Sequence, residues 1–310
     1  MDVRTALARD DLADELAALG VRDEDWETLL HWREALLERP GDLERIAVLA
    51  GRLHALVGHR ELAGEVFEAC DDVHELGHGV LPFWALLVAA PQLREVQAGR
   101  GIPEEVTRAS LADLGQQVWK HRQVHGVTGL HNHRWLCRVW SDGYLRLGRL
   151  QFELDRSDVG LRDEPVNALR VHIDESGPLE PEAVDESLQR AMTFFEEHYP
   201  EVGPIDWFVC GSWLLDPGLG WRLGECNITH FARRWNVWRT EENDRDALYF
   251  GFGIEPAAGQ QPLQALGGRR PQRRLQRALV ELWQDGEHVM LCSGRLPVIS
   301  PETMEPAEPE

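Results

Sequence analysis

Lysine is almost missing from this chain: Lys120 is the only one, and arginine supplies the remaining positive charge. Acidic residues outnumber basic ones by 53 to 32, leaving a net charge of −21. That balance argues against a nucleic-acid partner, because neutralising phosphates takes a clustered basic surface. No apolar run approaches the ~20 residues that cross a bilayer, so no membrane span is expected. The opening "MDVRTALARDDLADELAALG" is amphipathic and acidic and does not read as a signal peptide. Cysteine is scarce: Cys70, Cys137, Cys210, Cys226 and Cys292 are odd in number and form no C-x-x-C pair, as expected of reduced thiols in a cytoplasm. What is abundant is apolar: 43% of the 310 residues are hydrophobic and twelve are Trp, enough for a folded chain of two domains rather than one.

Periodicity divides the chain. Residues 5–66 read as helices, with "DEDWETLLHWREALLER" stopping before Pro40-Gly41 and "DLERIAVLAGRLHALVG" apolar at helical spacing. A second helical region covers roughly 82–125, opening at Pro82 and restarting after Gly101-Ile102-Pro103. From about 133 the reading changes to strands. "HRWLCRVW", a turn at Asp142-Gly143 and "YLRLGRLQFELDR" predict a β-hairpin, and "NALRVHI" a further strand. After the loop "DESGPLE" a helix follows in "PEAVDESLQRAMTFFEEHY", with Pro181 in its first turn. "IDWFVCGSWLL" and "ALYFGFGI" read as strands flanking a possible strand in "NITHFARRWNVWRT". A last helix is expected over 271–285 and a last strand over 287–292, before a Pro- and Glu-rich tail.

Two histidine patterns invite a metal reading. His74-Glu75-Leu76-Gly77-His78 has the H-E-x-x-H form in which two imidazoles one helical turn apart hold zinc and the glutamate deprotonates the bound water. The continuation that would add a third histidine finds Leu81 and Trp84, and Gly77, Gly79 and Pro82 crowd the stretch with helix breakers. A zinc hydrolase is therefore kept only as an alternative. In "KHRQVHGVTGLHNHRW", His121 and His125 are four apart on a predicted helix, and His131 and His133 flank Asn132. Such a set is able to gather a metal, but imidazoles at a helix C-terminus explain the same letters, and no metal is assigned.

The second half carries more specific words: "GYLRLGRLQF" (143–152), "LRVHIDESGPLEPEAVDESLQRAMTFF" (169–195), "VCGSWLLDPGL" (209–219), "CNITHFARRW" (226–235) and "RRLQRALV" (273–280). In sequence and spacing these resemble a bacterial family of acyltransferases with a helical N-acyltransferase N-terminal domain and a GNAT-like C-terminal domain. The resemblance extends from about Leu81 to Gly294. It implies an α+β fold, with a helical domain over 1–127 and a GNAT-like mixed β-sheet domain with flanking helices over 128–296, while composition alone makes 297–310 a disordered tail. It also implies transfer of an acyl group from a thioester, acyl-CoA or acyl-phosphopantetheine, to an amine or hydroxyl on a small molecule or peptide, with no permanently bound cofactor. The thioester enters where the fourth and fifth strands of such a core part.

Candidate residues follow from that placement. His172 ends the strand before the cofactor loop and can act as general base, its unperturbed pKa of about 6.5 suiting the task. Cys210 and Ser212 share one face of the next strand and can protonate the leaving thiolate or carry the acyl group. A buried strand cysteine that merely fills space is the commoner reading of the same letters. Backbone N–H groups around Ser176, Gly177 and Leu179, ahead of a helix N-terminus, are the candidate diphosphate site. That loop has one glycine and three carboxylates, where a typical acetyltransferase loop is Gly-rich. Gly211 stands where the family pattern leads one to expect a polar residue. Arg269, Arg270, Arg273 and Arg274, with Arg277, form a basic patch able to meet a coenzyme A phosphate or an acyl carrier protein. A GNAT-like thioester- or protein-binding module without catalysis is the remaining alternative.

Overall fold

The computed structural model describes residues 2–68, 70, 73–161 and 164–298. The chain divides into two compact units, Met1–Arg146 and Leu147–Glu310.

The first unit is helical: α1 (Val3–Leu7), α2 (Leu12–Ala18), α3 (Asp23–Leu37), α4 (Pro40–Leu56), α5 (Val80–Gly99), α6 (Glu104–Leu111), α7 (Asp113–His125) and α8 (His133–Trp140). Between α4 and α5 lies a minimal antiparallel pair, β1 (Val73–His74) and β2 (Gly77–His78). Every residue from Val80 to Ala90 is buried, and a helix apolar on all sides can only be the centre of its bundle. Helix α4 packs along it through Ile46, Leu49, Leu53 and Leu56. Two buried carboxylates are paired rather than solvated: Glu15 accepts from both terminal nitrogens of Arg94 (3.0 and 2.7 Å), and Asp25 accepts from Arg122 Nε (2.9 Å) and Thr128 Oγ1 (2.8 Å).

The second unit is built on a sheet of β4 (Leu150–Ser157), β5 (Val166–His172), β6 (Trp207–Ser212), β7 (Asn236–Glu242) and β8 (Met290–Pro297), with β3 (Tyr144–Leu147) spanning the division at Arg146, in the order β3-β4-β5-β6-β8-β7. Its helices are α9 (Pro181–His198), α10 (Pro217–Leu223), α11 (Asn227–Ala232), α12 (Asp244–Phe252), α13 (Pro262–Ala265) and α14 (Arg274–Gln284). The β4–β5, β6–β8 and β7–β8 pairs are antiparallel and β5–β6 is parallel. Alternation gives the sheet an apolar face with Phe152, Leu154, Leu169, Val171 and Phe208, and a polar one with Glu153, Asp155, Arg170 and His172. Helix α9 lies against β4, and its Val184, Leu188, Ala191 and Phe195 are buried. A second core joins Leu219, Leu248, Leu279, Leu282 and Trp283 of α10, α12 and α14.

Three expected elements differ. "HRWLCRVW" is helix α8 rather than a strand: its buried His133, Leu136, Cys137 and Trp140 fall at i, i+3, i+4 and i+7. The hairpin therefore lies one step later, with β3 and β4 joined at Gly148-Arg149, and Asp142-Gly143 turns the chain out of α8 with φ of 66° and 79°. "ALYFGFGI" belongs to helix α12, started by Asn243, whose side chain accepts from the Asp246 N–H (3.0 Å). "NITHFARRWNVWRT" is half helix (α11) and half strand (β7). The expected disordered tail begins too early: Pro297 is paired with Trp207, and the Val298 N–H donates to the Asp206 carbonyl (2.8 Å). Residues 299–310 lie outside the described residues.

Helix α7 approaches the Gly20–Val21 backbone so closely that a Cβ on Gly115 would lie 1.9 Å from the Gly20 carbonyl carbon, and the Gly115 N–H donates to Leu19 (2.9 Å). Gly115→Ala is expected to cost about 1–3 kcal/mol, read as a lower thermal midpoint. An unchanged midpoint would contradict this approach.

Candidate active site

The parallel pairing of β5 with β6 is short. It registers Ala168, Leu169 and Arg170 against Trp207, Phe208 and Val209 and then ends, although β5 continues to His172 and β6 to Ser212. Beyond that point β6 stays paired with β8 through Ser212↔Cys292. The strands thus part at their C-terminal ends, where an open mixed sheet presents a crevice to ligand.

His172 stands on the parting end of β5. Its Nε2 lies 2.9 Å from Glu153 Oε2 on β4, diagonal to it, since Gln151 is the residue directly opposite. Glu153 is buried and His172 half-buried. With Glu153 ionised the carboxylate can only accept, and the contact then puts the ring proton on Nε2 and the basic lone pair on Nδ1. Beside the pair, Arg170 is fixed by Asp155 through Nε and Nη2 (3.0 and 2.6 Å). A cavity of about 180 Å³ adjoins Arg170, Val209, Cys210, Gly211, Trp238 and Ser293. Gly211 is exposed there, and a Cβ at that position would meet nothing within 4 Å. Its missing side chain leaves room on the face that carries His172.

The other two strand candidates are placed differently. Cys210 is 1% exposed, and burial pushes its thiol up to about 12, so it is neither a ready nucleophile nor a good acid at neutral pH. Ser212 Oγ accepts from the Leu214 N–H (3.2 Å) and caps the short 3₁₀ turn that follows β6. Asp216 does the same for α10, accepting from Gly218 N–H (2.8 Å) while its second oxygen accepts from Met290 N–H (3.0 Å).

The loop 174–180 is organised by a residue that the sequence did not flag. Arg149, in the β3–β4 turn, donates to Asp174 Oδ1 (2.8 Å) and to the carbonyls of Asp174, Gly177 and Pro178 (3.3, 2.7 and 2.8 Å). Ser187 of α9 pins that turn, its Oγ accepting from the Arg149 and Leu150 N–H groups (2.7 and 3.3 Å). Ser176 Oγ also donates to Asp174 Oδ1 (2.9 Å). The buried carboxylate of Asp174 is therefore neutralised inside the loop. The carbonyls converge on Arg149, so the N–H groups of the same peptides, on Glu175 and Leu179, point the opposite way. Gly177 has open space around it, and Leu179 is buried. Helix α9 follows with no side-chain cap; its first intrahelical bond comes from Val184, leaving first-turn N–H groups of Glu182 and Ala183 outside the ladder.

The arginine patch is partly committed to structure. Arg274 donates to the carbonyls of Glu225 (3.3 Å) and Leu223, Arg269 to that of Phe252 (3.4 Å), and Arg277 to that of Gln272 (3.1 Å). Arg270 and Arg273 are exposed at the start of α14. The H-E-x-x-H stretch does not form a helical turn. His74 and His78 lie in β1 and β2, where His74 Nε2 meets Asp42 (3.2 Å), His78 Nδ1 meets the Leu130 carbonyl (3.3 Å) and Glu75 pairs with Arg39.

Comparison with known proteins agrees with this geometry. Residues 10–141 match the N-acyltransferase N-terminal domain and residues 144–296 the GNAT-like C-terminal domain. An acyltransferase crystallised with decanoyl-CoA and teicoplanin superposes with a TM-score of 0.79 at 27% identity, and a mutant acyltransferase with octanoyl-CoA gives the same values. A further complex of an acyltransferase with decanoyl-CoA gives 0.73 at 31% identity. In each case 94% of this chain and 88% of the other are covered. No curated protein sequence matches. The fold and the parted strands define a GNAT-like acyltransferase. The chain belongs to the family that joins an N-acyltransferase N-terminal domain to a GNAT-like C-terminal domain, and it is an enzyme that takes its acyl group from a thioester co-substrate.

Two predictions follow from these placements. Burial pushes Cys137, Cys210 and Cys292 each up to about 12, so at pH 8 iodoacetamide should label at most Cys70 and Cys226 in the native chain. Labelling of Cys210, read by peptide mass spectrometry, would restore it as a nucleophile. Arg149→Met should lower stability by about 1–3 kcal/mol by stranding Asp174, and adding Asp174→Asn should recover part of that loss. Equal stability of wild type and the single variant would show that Arg149 does not hold the loop.

Proposed function

We propose that this enzyme transfers a medium-chain acyl group from acyl-CoA to an amine or hydroxyl of a small-molecule or peptide acceptor by direct attack, with His172 as general base. The observation that carries the reading is the His172–Glu153 pair at the point where β5 and β6 part. In this reading the pantetheine arm enters the gap, and its diphosphate meets the N–H groups of the 174–180 loop and the α9 N-terminus. The acceptor's N–H or O–H gives its proton to His172 Nδ1 as its heteroatom bonds to the thioester carbon. The tetrahedral intermediate then collapses, the C–S bond breaks, and the coenzyme A thiolate leaves, taking a proton from the imidazolium or from water. Glu153 steadies the imidazolium between these steps.

The acyl-CoA complexes of the similar structures support the donor, and the teicoplanin complex makes a glycopeptide the first acceptor to try. The cavity beside Gly211 and Arg170 is the place for that acceptor's reacting end. An acyl carrier protein presents the same phosphopantetheine, and the exposed Arg270 and Arg273 are the groups to meet its acidic surface. The free thiols of Cys137, Cys210, Cys226 and Cys292 and a coenzyme A donor fit a cytoplasmic setting.

The test is coenzyme A release and product mass from octanoyl- and decanoyl-CoA with a glycopeptide acceptor, together with thermal shift by each thioester. His172→Ala should lower kcat by about 10²–10⁴-fold while the acyl-CoA thermal shift persists, and Glu153→Gln should lower it less. A thermal shift with no turnover over a broad acceptor panel would favour the non-catalytic binding module. Full activity in His172→Ala would remove the base from the scheme.

A further inference from the structure

The helical unit holds a second chemical feature that acyl transfer does not use. His121 and His125 lie one turn apart on α7, and the chain doubles back after Gly126 so that His131 faces them. The three rings stand 4.4, 5.0 and 5.1 Å apart by centroid. One ring nitrogen from each lies within 4.8 Å of the other two. His121 and His131 already approach through their Nδ1 atoms, at 2.9 Å.

The surroundings fix this arrangement from both sides. Asp25 accepts from Arg122 on α7 and from Thr128 in the returning loop, so one buried carboxylate ties the helix end to the loop. On the far side, the Leu130 N–H donates to the His78 carbonyl (2.9 Å), and the His78 ring lies 5.3 Å from that of His121. Asn132 donates to Gln117 on α7 (2.9 Å). Gly129 has no Cβ because one would sit 2.3 Å from His121 Nε2, and that close approach turns the opposite nitrogen of the ring into the cluster. His121 is 2% exposed, so its ring is held in place by the packing around it.

We propose that His121, His125 and His131 form a binding site for a borderline first-row divalent cation, Zn²⁺ being the physiological candidate. Imidazole nitrogen is a preferred donor for such ions. Tetrahedral coordination at ~2.0–2.1 Å needs nitrogens about 3.3 Å apart, within reach of side-chain rotation from the present spacing. The His121–His131 hydrogen bond gives way on binding: the proton it shares moves to the Nε2 of its ring and both Nδ1 lone pairs face the ion. Three protein ligands leave a fourth position, open toward solvent on the side of the exposed His125 and filled there by water. The ion ties the C-terminal turn of α7 to the 126–132 loop. Of the H-E-x-x-H stretch, only His78 borders this site, and as a brace for the loop.

The experiment uses the tag-free full-length chain, stripped with EDTA. Calorimetric titration with Zn²⁺ should show one equivalent bound with a raised thermal midpoint, and Co²⁺ should give the visible absorption of a tetrahedral nitrogen site. His125→Ala removes an exposed ligand without disturbing the core and should weaken binding by on the order of tenfold or more. His131→Asn should do the same, whereas His74→Ala should bind as wild type. No binding by wild type, or equal binding by His125→Ala and His131→Asn, would overturn the site. Neither result depends on acyltransferase activity.

Discussion

The second unit turns on the place where two parallel strands stop hydrogen-bonding. Three residue pairs hold β5 to β6, and beyond Arg170 and Val209 each strand continues without the other. Backbone polar groups left unpaired inside a protein are costly, so such a parting persists only where its neighbours hold both strands. β6 is held by β8 over its full length, and β5 by β4 as far as Gln151↔His172. Each strand has its own partner, and the gap between them survives. The catalytic reading depends on this one interruption, and the cavity beside Gly211 lies next to it.

Much of this was legible in the sequence because it is local. Strand alternation in "NALRVHI" put His172 on the face opposite Val171, and Pro181 marked the first turn of α9. The failures are also local and have reasons. Helix α8 is eight residues long and carries two Trp and a Val, so its composition outweighed a helical burial pattern that was present. Helix α12 carries "LYFGF", strand-like in composition, but its Asn243 cap with Asp246 three residues on was the signal for a helix start. Arg149 and Glu153 were not identified because their roles depend on partners 28 and 19 residues away along the chain. Glu153 meets His172 only in one register of β4 on β5, and no period in a single strand specifies that register.

The acidic loop shows how composition can mislead about electrostatics. "DESGPLE" carries three carboxylates where a diphosphate is expected, and read as letters it repels one. In the folded chain Asp174 is consumed by Arg149, and the guanidinium also gathers three main-chain carbonyls. The same contact therefore removes a negative charge and turns the amide dipoles of the loop outward. Net charge counted along a sequence is a poor guide wherever a rigid five-donor cation can be brought in from elsewhere.

Asp25 has a different kind of reach. Its carboxylate binds Arg122 and Thr128, 97 and 103 positions downstream. Contacts of such separation are the late ones in folding, since the loop they close is long and its closure entropy must be met before the contact helps. His121, His125 and His131 lie within ten positions of one another, so their turn is local, and Asp25 locks it from far along the chain. The histidine cluster is in this sense a local turn pinned by a residue from the opposite end of its own unit.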